Sequence, residues 1–200
     1  MSKRSLRCTA FVGTEIVASG PLEEVALAVK ERLREDPTAN PLVFDDATAR
    51  PIDLDLRGSD EAVLERLDDH PVHGTKPAVR APGRPKLGVV AREVTLLPRH
   101  WDWLNSQPGG ASVALRRLVD EARHATPLAD KVRHARETTY RFMTAVAGNL
   151  PGYEEAIRAL FAGDGARYDA LMASWPFDVR FYAGMLSLEA FEEKPCRAKA

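Results

Sequence analysis

The sequence predicts an α+β fold in three parts: a small N-terminal strand-strand-helix-strand-strand unit, a central strand followed by two helices, and a helical C-terminal part. Three observations predict it. Alternating apolar and polar residues are confined to the first 57 positions and to a short run around Val94. Apolar residues at spacings of three and four dominate elsewhere. A Pro- and Gly-rich stretch between Asp68 and Gly88, with no apolar periodicity, divides the front from the rest. With 44% hydrophobic and 28% charged residues in 200, the chain can bury a core, which excludes a disordered protein.

The N-terminal unit opens with Arg7-Cys-Thr-Ala-Phe-Val12 as a strand, paired across a Gly13 turn with Glu15-Ile-Val-Ala18. Pro21-Leu-Glu-Glu24 starts a helix, since Pro suits a first turn and acidic groups suit the positive end of the dipole. Leu22, Val25, Ala26, Val29 and Leu33 are its apolar stripe, and Pro37 stops it. Leu42-Val-Phe44 is a third strand. Pro51 to Arg57 reads as a fourth, with Ile52, Leu54 and Leu56 on one face and Asp53, Asp55 and Arg57 on the other. Ser59 then caps a short helix that runs through Leu67. Asp45, Asp46, Asp53 and Asp55 read as a solvated acidic face.

The domain boundaries that follow are 1–68 for this unit, 69–88 for a Pro/Gly/basic linker, 89–126 for the central segment, 127–191 for a helical domain and 192–200 for a tail. The C-terminal helices are marked by Leu128, Val132, Ala135, Thr139, Phe142 and Val146, then by Ala156, Leu160 and Phe161, which are expected to be buried, with breaks at Gly148-Asn149 and Gly163-Asp-Gly165. Tyr140, Phe142, Tyr168, Trp175 and Phe177 read as core. Whether the N- and C-terminal parts form one domain or two is open at this level.

The net charge of −1 hides an uneven distribution. Residues 1–75 carry 9 Lys+Arg against 15 Asp+Glu, residues 76–141 carry 13 against 6, and residues 142–200 carry 6 against 8. A basic middle favours polyanions. Cys8 and Cys196 are too few for a disulfide framework and lack zinc-ligand spacing, so both read as free thiols of a cytoplasmic protein. No run approaches the roughly 18 apolar residues of a membrane span, and no signal-peptide pattern is present, so no membrane partner is expected.

The central segment reads Arg92-Glu-Val-Thr-Leu-Leu-Pro98 as a strand with a proline break and Arg99 to Gln107 as a helix. Pro108-Gly-Gly110 is a turn, and Ala111 to Arg123 is a second helix in which Ser112 can cap and Ala114, Leu115, Leu118, Val119 and Ala122 are apolar. A lone strand and two short helices leave a strand edge unpaired and apolar faces uncovered, and a second copy would solve both problems. Trp101 and Trp103 lie on different helix faces, so one is expected in the core and the other in a dimer contact.

Leu97-Pro98, Leu104, Gly109-Gly110 and Ser112-Val-Ala-Leu-Arg-Arg-Leu-Val-Asp-Glu-Ala122 resemble the ribbon-helix-helix DNA-binding family. That resemblance covers residues 92–123. It implies a homodimer whose paired strands enter the major groove and whose second helix holds a phosphate on its first amides. Carried over, the clamp is Gly110, Ala111 and Ser112. The strand register is open: Arg92, Val94 and Leu96 face outward in one register, Glu93, Thr95 and Leu97 in the other. Arg92 and Thr95 are the candidate base readers, with Val94 on the same strand. Arg84, Lys86, Arg92, Arg99, Arg116 and Arg117 are candidate phosphate contacts. Pro82-Gly-Arg-Pro-Lys86 is similar to the Gly-Arg-Pro core of an AT-hook, which implies an arm in a narrow minor groove.

Leu42-Val-Phe-Asp-Asp-Ala-Thr48, Gly83-Arg-Pro-Lys-Leu-Gly-Val89 and Leu150-Pro-Gly resemble an uncharacterised bacterial family, domain of unknown function 2239, which implies no activity. The functional expectation is therefore a dimeric, non-enzymatic protein that binds double-stranded DNA as a transcriptional regulator or nucleoid-associated protein, with no cofactor and no metal. The alternative is a dimerisation or protein-interaction module built on the same fold. An enzyme built on the Asp68-Asp-His-Pro-Val-His73 cluster ranks last, since Pro71 and the loop setting suit a solvated linker and no catalytic constellation is visible.

Overall fold

The computed structural model describes residues 6–68 and 92–192. The chain divides into two compact units, residues 1–75 with 128–200, and residues 76–127. The linker candidates Arg84 and Lys86, the AT-hook-like run and the His70/His73 cluster lie outside the described residues.

The first unit is a three-stranded antiparallel sheet with helices on both faces. Strands β1 (Arg7–Val12), β2 (Glu15–Pro21) and β3 (Pro41–Asp45) lie in the order β2-β1-β3. Strand alternation sends Cys8 and Ala10 of β1 to one face and Thr9 and Phe11 to the other. The first face is covered by α1 (Leu22–Glu35) and α2 (Asp60–Asp68) through Leu22, Val25, Ala26, Val29, Val63 and Leu67.

The other face receives the helices α5 (Pro127–Val146), α6 (Tyr153–Ala162), α7 (Gly165–Met172) and α8 (Phe177–Leu186). Its centre is aromatic. Phe11 meets Phe142 at 5.1 Å and Tyr182 at 5.4 Å, and Phe44 meets Phe142 at 5.4 Å in an edge-on pair. Such rings gain beyond their buried area when tilted or edge-on. The front and back of the chain therefore share one core.

Polar contacts fasten the layers. The Tyr182 hydroxyl donates to Asp46 Oδ1 at 2.9 Å, and Thr9 Oγ1 donates to the same oxygen at 2.8 Å. The Ile16 amide donates to Asp178 Oδ2 at 2.8 Å. On the opposite face Lys30, 8% exposed, places its ammonium 2.6 Å from Asp60 and 2.7 Å from the Gly58 carbonyl. Asp46 is thus a structural acceptor and not a solvated member of an acidic face, as the sequence suggested.

Several expectations need correction. The fourth strand does not form: Pro51 makes an isolated bridge to Phe44, the Ile52 amide donates to the Val43 carbonyl at 2.8 Å, and residues 52–57 belong to no strand. The alternation there still governs burial, with Ile52 buried and Leu54 and Leu56 half-buried. Tyr140, Phe161 and Phe177 are exposed, whereas Phe142, Tyr168 and Trp175 are core.

The second unit contains α3 (Pro98–Ser106) and α4 (Gly110–Ala125), packed on each other with Leu104 and Ala114 buried. Residues 92–97, expected as a strand, form no strand in the single chain. Among the described residues that segment has no ladder partner, and a strand exists only through its ladder.

Candidate nucleic-acid interface

The turn between α3 and α4 is built on glycine. Gly109 and Gly110 both have positive φ, 83° and 75°, a region that costs other residues a steric clash. The Gly110 amide donates back to the Gln107 carbonyl at 2.9 Å, which closes the turn and removes that amide from the clamp implied by the family resemblance. The amides of Ala111 and Ser112 follow in the first turn of α4, where helix geometry provides no acceptor.

Ser112 does not cap α4. It sits inside the first turn, and no side chain caps this end. Its hydroxyl instead accepts from Arg116 Nη2 at 2.8 Å. The contact spans one turn, so it holds the Arg116 guanidinium toward the start of the helix. The first turn carries no carboxylate, while Arg123 and His124 occupy the last turn. The positive end of the dipole is therefore reinforced by a guanidinium and left without an internal anion.

The remaining candidates are also exposed. Arg92, Thr95 and Arg99 face solvent. Arg117 is exposed and lies 3.7 Å from Glu121, one turn away, a pair of small energetic worth. In the extended approach to α3, Leu96 is half-buried while Val94 and Leu97 are exposed.

The apolar face of α4 is mostly uncovered: Ala114 is buried and Leu115 half-buried, but Leu118, Val119 and Ala122 are exposed, Val119 by 55%. Trp101 and Trp103 are both exposed, so neither is the core tryptophan that the sequence suggested. Two helices of 9 and 16 residues offer too little facing surface to bury all these side chains.

The first unit contributes a different feature, a groove of about 570 Å³ between β3 and α5, lined mainly by Leu42, Phe44, Ala49, Pro51 and Tyr140. Arg141 anchors its wall by donating to the Thr48 carbonyl. Sequence reasoning missed this groove because its walls come from segments far apart in the chain. No group of three or more metal-ligating side chains occurs among the described residues. Cys8 is buried, and burial together with the nearby Asp46 and Asp45 pushes its thiol up to about 12, which disfavours the thiolate. No helix among the described residues is long and apolar enough to cross a membrane.

No curated protein and no solved structure matches the chain significantly. A family model does match, over residues 7–187, and so takes in the sheet, the central helices and the C-terminal bundle. The chain belongs to the family described as an uncharacterized protein conserved in bacteria, DUF2239.

Proposed function

We propose that this chain is a non-enzymatic, homodimeric DNA-binding protein, acting as a transcriptional regulator or nucleoid-associated protein, whose second unit works as a ribbon-helix-helix module. The observation that carries the reading is the start of α4. Two first-turn amides, an Arg116 guanidinium held 2.8 Å from Ser112 Oγ and the absence of a first-turn carboxylate suit a phosphate. The dimer is supported by the uncovered Val94, Leu97 and Val119 and by the lack of a ladder for residues 92–97 among the described residues. Pairing two such segments antiparallel would satisfy their backbone groups and cover these side chains. The groove beside α5 offers the first unit a place to sense a small apolar ligand.

The test is an anisotropy titration of labelled duplex DNA with the wild-type chain and with Arg116→Ala. Loss of one charge-assisted phosphate contact per subunit should weaken binding about tenfold. Equal affinities would remove Arg116 from the interface, and no binding by either chain would reject the reading.

One observation favours the interaction module as second reading. Residues 92–125 carry five Arg against four Asp+Glu, a small positive excess for a DNA-binding surface. If the module only dimerises, Arg92→Ala, Arg116→Ala and Arg117→Ala together leave cellular function intact.

A further inference from the structure

Helix α8 has two faces of opposite use. Val179, Tyr182, Ala183 and Leu186 point into the core. Phe177, Phe181 and Met185, with Leu188 in the turn that follows, are exposed by 67, 57, 39 and 75%. Their spacing places them on one stripe along the helix. The Phe177 and Phe181 rings are stacked at 6.0 Å, and the Arg180 guanidinium lies 6.0 Å from the Phe177 ring centre. At roughly 200 Å² per large side chain, the stripe exposes on the order of 450 Å² of apolar surface, the size of the largest patch on a typical monomer, which is often functional.

Gly184 lies in the same stripe. A Cβ built there meets nothing within 4 Å, so packing among the described residues gives no reason for a glycine. Gly184 sits in the last turn of α8, and a glycine inside a helix costs up to about 1 kcal/mol relative to alanine. Close approach of another helix is a reason.

We propose that this outer face of α8 is a docking surface for a second copy of the chain, related by a twofold axis. In such a contact each residue i that meets j has j meeting i. The stripe fits itself in that way when two α8 helices run antiparallel about the level midway between Tyr182 and Ala183. Phe181 then faces the partner's Gly184, and Phe177 faces the partner's Leu188. Large side chains meet at the ends, and at the centre, where the axes come closest, a ring enters a gap without a side chain. Buried on both copies, the stripe supplies about 900 Å², close to the roughly 1,000 Å² at the lower end of specific interfaces. This surface is independent of the DNA-binding reading, and a chain with both twofold contacts would link ribbon dimers into larger assemblies.

Sedimentation velocity over a concentration series on the full-length chain tests it. Val94→Pro removes ribbon pairing, because proline cannot donate to a ladder. In that background the expected result is a monomer–dimer equilibrium, weakened roughly tenfold or more by Phe181→Glu and by Gly184→Gln. Gly184→Gln should leave the melting temperature unchanged or raised, since it fills open space with a better helix former. A Val94→Pro chain that is monomeric at every soluble concentration overturns the proposal. So does a dimer whose strength neither α8 variant alters. A wild-type chain that ignores DNA while the α8 variants still lower its mass rejects the DNA-binding reading alone.

Discussion

Tyr182 and Asp46 illustrate how single residues hold the layers of the first unit. The Tyr182 hydroxyl is 1% exposed as part of its residue, and burial pushes its titration well above the ordinary tyrosine range. It therefore remains a proton donor to Asp46 across all working pH values. Tyr182→Phe should lower unfolding free energy by about 1–2 kcal/mol, measured by urea denaturation, because the hydrogen bond is lost while the ring packing stays. An unchanged midpoint would mean that the hydroxyl contributes nothing. Asp60 gives the pH counterpart. Its hydrogen bond to Lys30 holds its carboxyl below the usual range. A depressed native value means that the contribution is complete above the unfolded carboxylate pKa of about 4 and fades as pH falls through the native one. Asp60→Asn should therefore flatten the fall in melting temperature below about pH 4, and an equally steep fall would contradict the assignment. At this scale apolar spacing in the sequence marked Leu22, Val25, Ala26, Val29 and Phe142 as buried, and they are. The salt-bridged burial of Lys30 carried no such signal, because a lysine on a helix face looks the same whether or not an aspartate from α2 reaches it.

At the scale of elements, the α3–α4 turn depends on Gly109 most directly. With φ at 83°, any side chain there is strained, and a Cβ would also stand 3.1 Å from the Cβ of Val113. Gly109→Ala should destabilise the second unit by about 1–2 kcal/mol, read as faster hydrogen exchange in residues 98–125 with the first unit unaffected. Uniform exchange throughout the chain would refute that localisation. The glycine pair was legible because tight turns with positive φ favour that residue. The fourth strand was misread for a reason equally physical. Residues 52–57 alternate because one side of the segment packs on α1, and a one-sided extended segment shows the period of two whether or not a neighbour pairs with it. Ser112 was misplaced by a single turn: the glycine turn extends to Gly109 as N-cap, and the serine falls inside the helix as the acceptor for Arg116.

For the whole molecule, the sequence left open whether the front and back of the chain pack together. They do, around Phe11, Phe44, Phe142 and Tyr182, and no local pattern shows which apolar stripes meet. The candidate interface was more legible than the core, because its parts (the Gly-Gly turn, Ser112 and Arg116) are neighbours in sequence. Its apolar surplus was legible too: a strand and two short helices cannot close over their own side chains, and Val94, Leu97 and Val119 lie uncovered.

The account stands on one measurement above the others: duplex-DNA affinity over a range of salt concentrations, with the molar mass determined on the same sample. In the proposed interface Arg99 and Arg116 from each subunit of a dimer would make four phosphate contacts, so log affinity should fall against log salt with a slope of about −3.6 or steeper. A dimer, or an assembly of dimers, with that slope is the predicted result. A monomer, or a dimer whose affinity for DNA is absent or indifferent to salt, would contradict it.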